Sequence, residues 1–109
     1  MILAEECYGL TRGFPREETF GMTSQIRRAA ASVVANIAEG HGRETTGAFV
    51  QFLRISQGSL KELETFLELA ARVGLSLRER IAPLMDRCES VGKMLRALVR
   101  SLQKGAQND

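Results

Sequence analysis

Few residues in this chain could do chemistry. His41 is the single histidine, and it stands in a glycine-rich stretch, EGHGR. No nucleophile or paired carboxylate lies at a diagnostic spacing from it, so it reads as a solvent-exposed loop residue. Cys7 and Cys88 are far apart, neither has a metal-type spacing near it, and Cys88 falls within an apolar repeat. Both read as buried, reduced thiols. No catalytic set, metal site, cofactor or small-molecule substrate is expected, and the chain is read as a non-enzyme.

The cations are the remaining candidates. The net charge is only +2, but residues 76–104 hold seven basic and three acidic side chains, whereas residues 1–24 hold two basic and four acidic ones. Lys93, Arg96, Arg100 and Lys104 recur on one helical face, and Arg27, Arg28 and Arg43 lie near the glycine-rich corner. Clustered cations of this kind neutralise phosphates, which makes these seven the candidate nucleic-acid-binding residues. The other reading is that basic residues late in a last helix complement its dipole and keep the surface soluble. No exposed aromatic suited to base stacking is evident.

A second constellation is polar rather than charged. Gln25, Arg28, Ser32, Asn36 and Glu39 follow steps of three and four beside the apolar positions Ile26, Ala29, Ala30, Val33 and Ile37. At about 100° per residue this lane runs along one flank of the apolar stripe. Side chains at the border of a core lose water and must find partners, so the lane is expected to be a structural hydrogen-bond network, joined by Ser59 and Glu62 of the next helix.

The elements that position these residues are all helical. Leu3, Cys7 and Leu10 predict a short first helix ending near Arg12 or Gly13, ahead of Pro15. Pro15 with Arg16, Glu17 and Glu18 suits a single turn. Thr23 is the expected cap of a second helix over 24–39, with Gly40 as its left-handed stop. The third helix runs from Thr45 or Thr46 to Val73, with a core row Phe49, Leu53, Ser56, Leu60, Leu63, Leu67 and Ala70. A second row, Phe52, Ile55, Phe66 and Leu69, makes it the central helix. A corner at 40–45 pairs residues whose numbers sum to about 85, which sets Gly58 against Arg27, Ala30 near Ile55, and Arg28 at the Ser59–Glu62 edge. Gly74 and Leu75 end that helix, and Ser76 with Glu79 predicts a capping box for the fourth. Its row Leu77, Ile81, Leu84, Cys88, Val91, Leu95, Leu98 and Leu102 is interrupted by Pro83, where a kink or break is expected. The expectation is one all-α domain, an antiparallel up-down four-helix bundle over residues 1–104 with a short first helix, and a disordered polar tail at 105–109.

Helices three and four should each span roughly 40 Å and helix one under 20 Å. Leu95, Leu98 and Leu102 are then expected to lack cover, and an uncovered apolar row means a partner, here a second copy of the chain. No stretch approaches the roughly 20 apolar residues that cross a bilayer. The opening MILAEECYGL places glutamates where a signal peptide needs an apolar run. A cytoplasmic location without membrane contact is expected.

The stretch FPREETFGMTSQIRRAAASVVANIAEGHGR, followed by Phe49, Phe52, Leu53, Ser56, Gly58, Ser59, Leu60 and Glu62 in the pattern F-x-x-FL-x-x-S-x-GSL-x-E, resembles a bacterial four-helix-bundle family. That family includes the proteins encoded by intervening sequences in 23S rRNA genes, and the resemblance covers about residues 8–103. Three departures stand out. Val34 occupies a position where the family often has proline, Gln57 one where it often has a basic residue, and the first helix starts later than usual. The resemblance implies a bundle that assembles as a ring, in all expectation a pentamer. It is also similar in fold to the accessory proteins of diversity-generating retroelements, basic rings that partner a reverse transcriptase on nucleic acid. Two readings stay open: an oligomeric scaffold or protein-interaction module, and a ring-shaped RNA- or DNA-binding protein.

Overall fold

The computed structural model describes the backbone of residues 1–108, with side chains to Gly105, so of the expected disordered tail at 105–109 only Asp109 lies outside the described residues, while 105–108 continue the last helix. Helix α1 spans Ile2–Thr11, a single 3-10 turn spans Arg16–Glu18, and three longer helices follow: α2 (Met22–His41), α3 (Thr46–Arg72) and α4 (Arg78–Asn108). Neighbours in sequence pack antiparallel, and α4 closes the bundle against α1, while the backbones of the diagonal pairs do not approach closely. This is the expected up-down four-helix bundle with a short first helix.

The helix ends follow the sequence in part. Thr45 caps α3, its hydroxyl accepting from the Ala48 amide at 3.2 Å. Gly74 takes φ 80°, the one positive φ among the described residues, and the Leu75 amide reaches back to the Ala70 carbonyl at 2.9 Å. That arrangement satisfies the last carbonyls of α3 and turns Leu75 onto the core. Glu68, one turn before the helix end, accepts from both Arg72 and Arg78 and ties α3 to the start of α4. Its carboxyl is held down at about 2, chiefly by the Arg78 hydrogen bond and then by that of Arg72.

Four local expectations need correction. Helix α2 starts at Met22, and its first amide is capped by the Glu18 carboxylate at 3.0 Å rather than by Thr23, which is buried inside the helix. Helix α4 starts at Arg78, so Ser76 forms no capping box; the Leu77 carbonyl takes the Arg80 and Ile81 amides instead. Pro83 lies on the exposed side of α4, and the helix runs unbroken past it. Gly40 does not stop α2, which continues to His41.

That last change resets the α2–α3 register. Gly40 lies against Phe52 and Phe49, Ser56 against Val33, and Ser59 against Ser32, so facing residues sum to about 90 rather than 85. The slip is more than one helical turn. Gly58 therefore does not meet Arg27; it is exposed, and a Cβ there would meet nothing within 4 Å.

The core runs the length of the bundle, from Cys7, Ile26, Leu67 and Ile81 to Val33, Leu53, Leu95 and Val99. The lower row of α4 is covered after all. Leu60 lies against Gly92, so at 1.5 Å per residue Val50 and Leu53 of α3 stand level with Leu102 and Val99. Leu95 and Val99 are buried, and Leu98 and Leu102 pack partly against the core.

Candidate functional site

The polar lane of α2 divides in two. Its inner half is a closed hydrogen-bond chain in the α2–α3 seam. The hydroxyls of Ser32 and Ser59 are 2.7 Å apart, and the Asn36 amide donates to the Ser32 carbonyl at 2.8 Å and its hydroxyl at 3.1 Å. Ser56, fully buried, donates to the Val33 carbonyl at 2.8 Å. Small hydroxyl side chains let the two backbones approach, and Gly40 allows still closer contact below them. No buried side-chain nitrogen or oxygen lacks a partner among the described residues.

The outer half is not a network. Gln25, Arg28, Glu39 and Glu62 are exposed. Glu39 pairs with Arg43 at 2.9 Å, but Arg28 and Glu62, though level in the register, form no hydrogen bond. The expected reach of Arg28 to the Ser59–Glu62 edge is not made, because Ser32 already satisfies Ser59. Beside these polar groups runs an apolar line on α3: Ile55, Gly58, Phe66, Leu69 and Val73, at helical steps that also take in Glu62. Ile55 is 48% and Leu69 44% exposed, and Val73 is open as well.

A second apolar surface lies on the opposite flank. Helix α1 runs out where α2 and α4 continue, leaving a groove of about 470 Å³. Its walls include Ile2, Val33, Val34, Ile37, Val91 and Met94. Val34 is half-buried in the middle of an unbroken α2.

The candidate cations are not gathered in one place. Arg27 is committed to the α1–α2 contact: its Nε donates to the Thr11 hydroxyl at 2.8 Å and its guanidinium covers the Tyr8 ring at 4.6 Å. Arg43 covers the Phe52 ring at 4.8 Å while paired to Glu39. Arg28 projects from the α2–α3 side. Only Lys93, Arg96, Arg100 and Lys104 share a face, and all four are exposed on α4. Sequence reasoning missed Arg54. Lys61 lines the α3–α4 groove with Gln57 and Arg96, and Arg54, seven residues before Lys61 on the same side of α3, donates to the Gln57 side-chain oxygen at 3.2 Å. The Leu60–Gly92 contact puts Arg54 level with the stretch between Arg96 and Arg100. The seven-residue spacing was the available signal; it needed the α3–α4 register to be read.

The remaining chemical groups are quiet. Cys7 and Cys88 are both fully buried, and burial pushes each thiol up to about 12. His41 is exposed, its ring edge-on to Phe49 with centroids 5.8 Å apart. No group of three metal-ligating side chains occurs among the described residues, nor any helix long and apolar enough to cross a membrane.

A short α1, a hydroxyl-lined α2–α3 seam and a glycine-ended corner define a small up-down helical bundle. The chain belongs to the 23S rRNA-intervening sequence protein family, whose model matches residues 1–97. A similar solved structure is a protein of unknown function from the S23 ribosomal protein family of Bacteroides thetaiotaomicron. It is 26% identical, covers 91% of this chain and 89% of its own, and superposes with a TM-score of 0.84. No curated protein matches the chain.

Proposed function

We propose that the protein is a non-enzymatic cytoplasmic building block that assembles with copies of itself. The observation that carries this reading is the exposed α3 line around Gly58. A glycine inside a helix costs about 1 kcal/mol relative to alanine, and nothing within the chain packs against this one. A backbone approaching from outside would explain it. The α3 line and the groove beyond α1 are unlike apolar patches on opposite flanks, which is the arrangement a head-to-tail contact needs. Repeated around an axis, such a contact closes into a ring, and five copies is the number the family resemblance implies. Light scattering should then give about 60 kDa, five times 12.0 kDa. At about 0.5 M salt, where ion pairs between exposed charges are screened, Ile55→Asp with Leu69→Asp should reduce the mass to that of one chain. A wild-type monomer at tens of micromolar refutes the reading.

A second reading is favoured by the position of Arg54. With Arg96, Arg100 and Lys104 it makes a cationic strip along the lower α3–α4 face, suited to a phosphate backbone. In a ring of five the net charge would be five times +2, or +10, and the strip would recur around it. Few base-edge readers are present, so binding would follow nucleic-acid shape more than sequence. Titration with structured RNA and duplex DNA at low salt tests this. Arg96→Ala with Arg100→Ala should weaken binding to all sequences alike and flatten the salt slope. No binding at about 10 μM protein removes the reading.

A further inference from the structure

The α3–α4 face carries more than cations. Above the cationic strip lie three carboxylates, Glu64 on α3 and Asp86 and Glu89 on α4, all bordering the groove of about 470 Å³ between the two helices. The strip itself holds Arg54 on α3 and Arg96 and Arg100 on α4. The two sets are arranged about a common centre. Glu64 and Arg54 are equidistant from position 59 of α3. Asp86 and Arg100 are equidistant from Lys93 of α4, and the midpoint of Glu89 and Arg96 falls within a residue of it. The contact of Leu60 with Gly92 sets facing residues to sum to 152, and position 59 therefore faces position 93. Three opposite-charge pairs on two helices are thus balanced about one level of the bundle.

We infer that this face is self-complementary and pairs with the same face of a second copy, antiparallel, about a two-fold axis crossing the helices at the level of Ser59 and Lys93. The axis lies in the contact plane, so α3 meets α3 and α4 meets α4. Glu64 then faces Arg54 of the second copy, Asp86 its Arg100, and Glu89 its Arg96; each pair occurs twice, as an isologous contact requires. Lys93 sits on the axis, where two like charges would meet, and its ammonium is held by Glu89 of its own chain at 3.5 Å. The floor between the charges includes Leu60, Met85 and Gly92. Two adjacent helices about 40 Å long and roughly 20 Å across together offer on the order of 800 Å² per copy, the size of an ordinary specific contact. This contact is distinct from the α3 line and groove proposed for the ring. It also covers the cations that a nucleic acid would use, so the two uses of the strip exclude each other.

The test is a charge exchange in the full chain, with Ile55→Asp and Leu69→Asp present so that ring assembly does not obscure the result. That parent should weigh about 24 kDa, twice 12.0 kDa, at low ionic strength. At about 0.5 M salt, where the Debye length is only a few ångström, it should fall to the mass of one chain. A variant with Glu64→Lys, Asp86→Lys and Glu89→Lys, and another with Arg54→Glu, Arg96→Glu and Arg100→Glu, should each be monomeric alone. Mixed in equal amounts, they should form the pair again. Five of the six positions are exposed and Glu64 is half-buried, so circular dichroism is used to identify any variant that has lost its helices; the mixture then serves as the second measurement. A parent that stays monomeric at low salt, whether or not it binds duplex DNA, overturns the inference. So do charge-exchanged variants that still pair with themselves, or that fail to pair when mixed while both remain folded.

Discussion

Gly40 and Gly42 stand two residues apart in the same corner, yet alanine should affect them in opposite ways. Neither has a positive φ, so backbone strain does not separate them. A Cβ on Gly40 would lie 2.9 Å from the Phe52 Cβ, 3.0 Å from the Phe49 ring and 3.2 Å from the Phe49 carbonyl oxygen. Two of those three atoms are fixed to the α3 backbone, so relief requires α2 and α3 to move apart by about half an ångström. That movement would stretch the Ser32–Ser59 contact of 2.7 Å and the Ser56–Val33 bond of 2.8 Å higher in the seam. Overpacking of this kind costs about 1–3 kcal/mol, against a gain of about 1 kcal/mol from replacing a helical glycine by alanine. The expected net loss for Gly40→Ala is about 0–2 kcal/mol. At Gly42 the nearest atom to a new Cβ is a carbonyl oxygen at 3.6 Å, an ordinary contact. Gly42→Ala should therefore leave stability unchanged or raise it by up to about 1 kcal/mol. Thermal unfolding distinguishes the two readily, since 1 kcal/mol shifts Tm by about 4–8 °C in a domain of this size. If Gly40→Ala melts above the wild-type temperature, the seam is not as close as described, and the α2–α3 register built on it is wrong.

Asn36→Ala should cost about 0.5–1.5 kcal/mol, and its effect should not add to that of Ser59→Ala, because both act through the Ser32 hydroxyl. A double-mutant cycle by denaturant unfolding that returns simple additivity would show that the three do not form one chain. Cys7 and Cys88 should resist a thiol reagent at neutral pH until the protein is unfolded. The burial that raises both thiols from 9.0 to about 12 adds stability that is fully present below pH 9, where the unfolded thiols are also protonated. As pH rises from 9 to about 12 the unfolded chain loses protons first, so that stability is progressively lost. Rapid labelling of the native protein at neutral pH would contradict the burial on which both expectations rest.

The helices were legible because their signals are local. Thr45 and Gly74 act within one turn of where they stand, and the three-four rows of α3 and α4 need only the period of a helix. The register was not legible, because it depends on where α2 stops. Glycine is a stop signal when its freedom of φ is used and a packing residue when its missing side chain is used, and the two uses share one letter. Gly40 was read the first way and serves the second. The resulting slip of more than a turn misplaced Gly58 and hid the fact that nothing in the chain explains it. The surface suffered in the same way. Arg54 belongs with Arg96 and Arg100 only once Leu60 is set against Gly92, and until then the cations of α4 read as one helix's charge rather than half of a face. Arg27 and Arg43 erred in the other direction: grouped by their sequence at one corner, they are held apart on Tyr8 and Phe52 by contacts that no spacing displays. The face proposed for pairing is shared by two helices, α3 and α4. A surface of that kind is fixed by how one helix is set against another, so a misjudgement of two residues at one glycine leaves the fold intact and changes every neighbour across the seam.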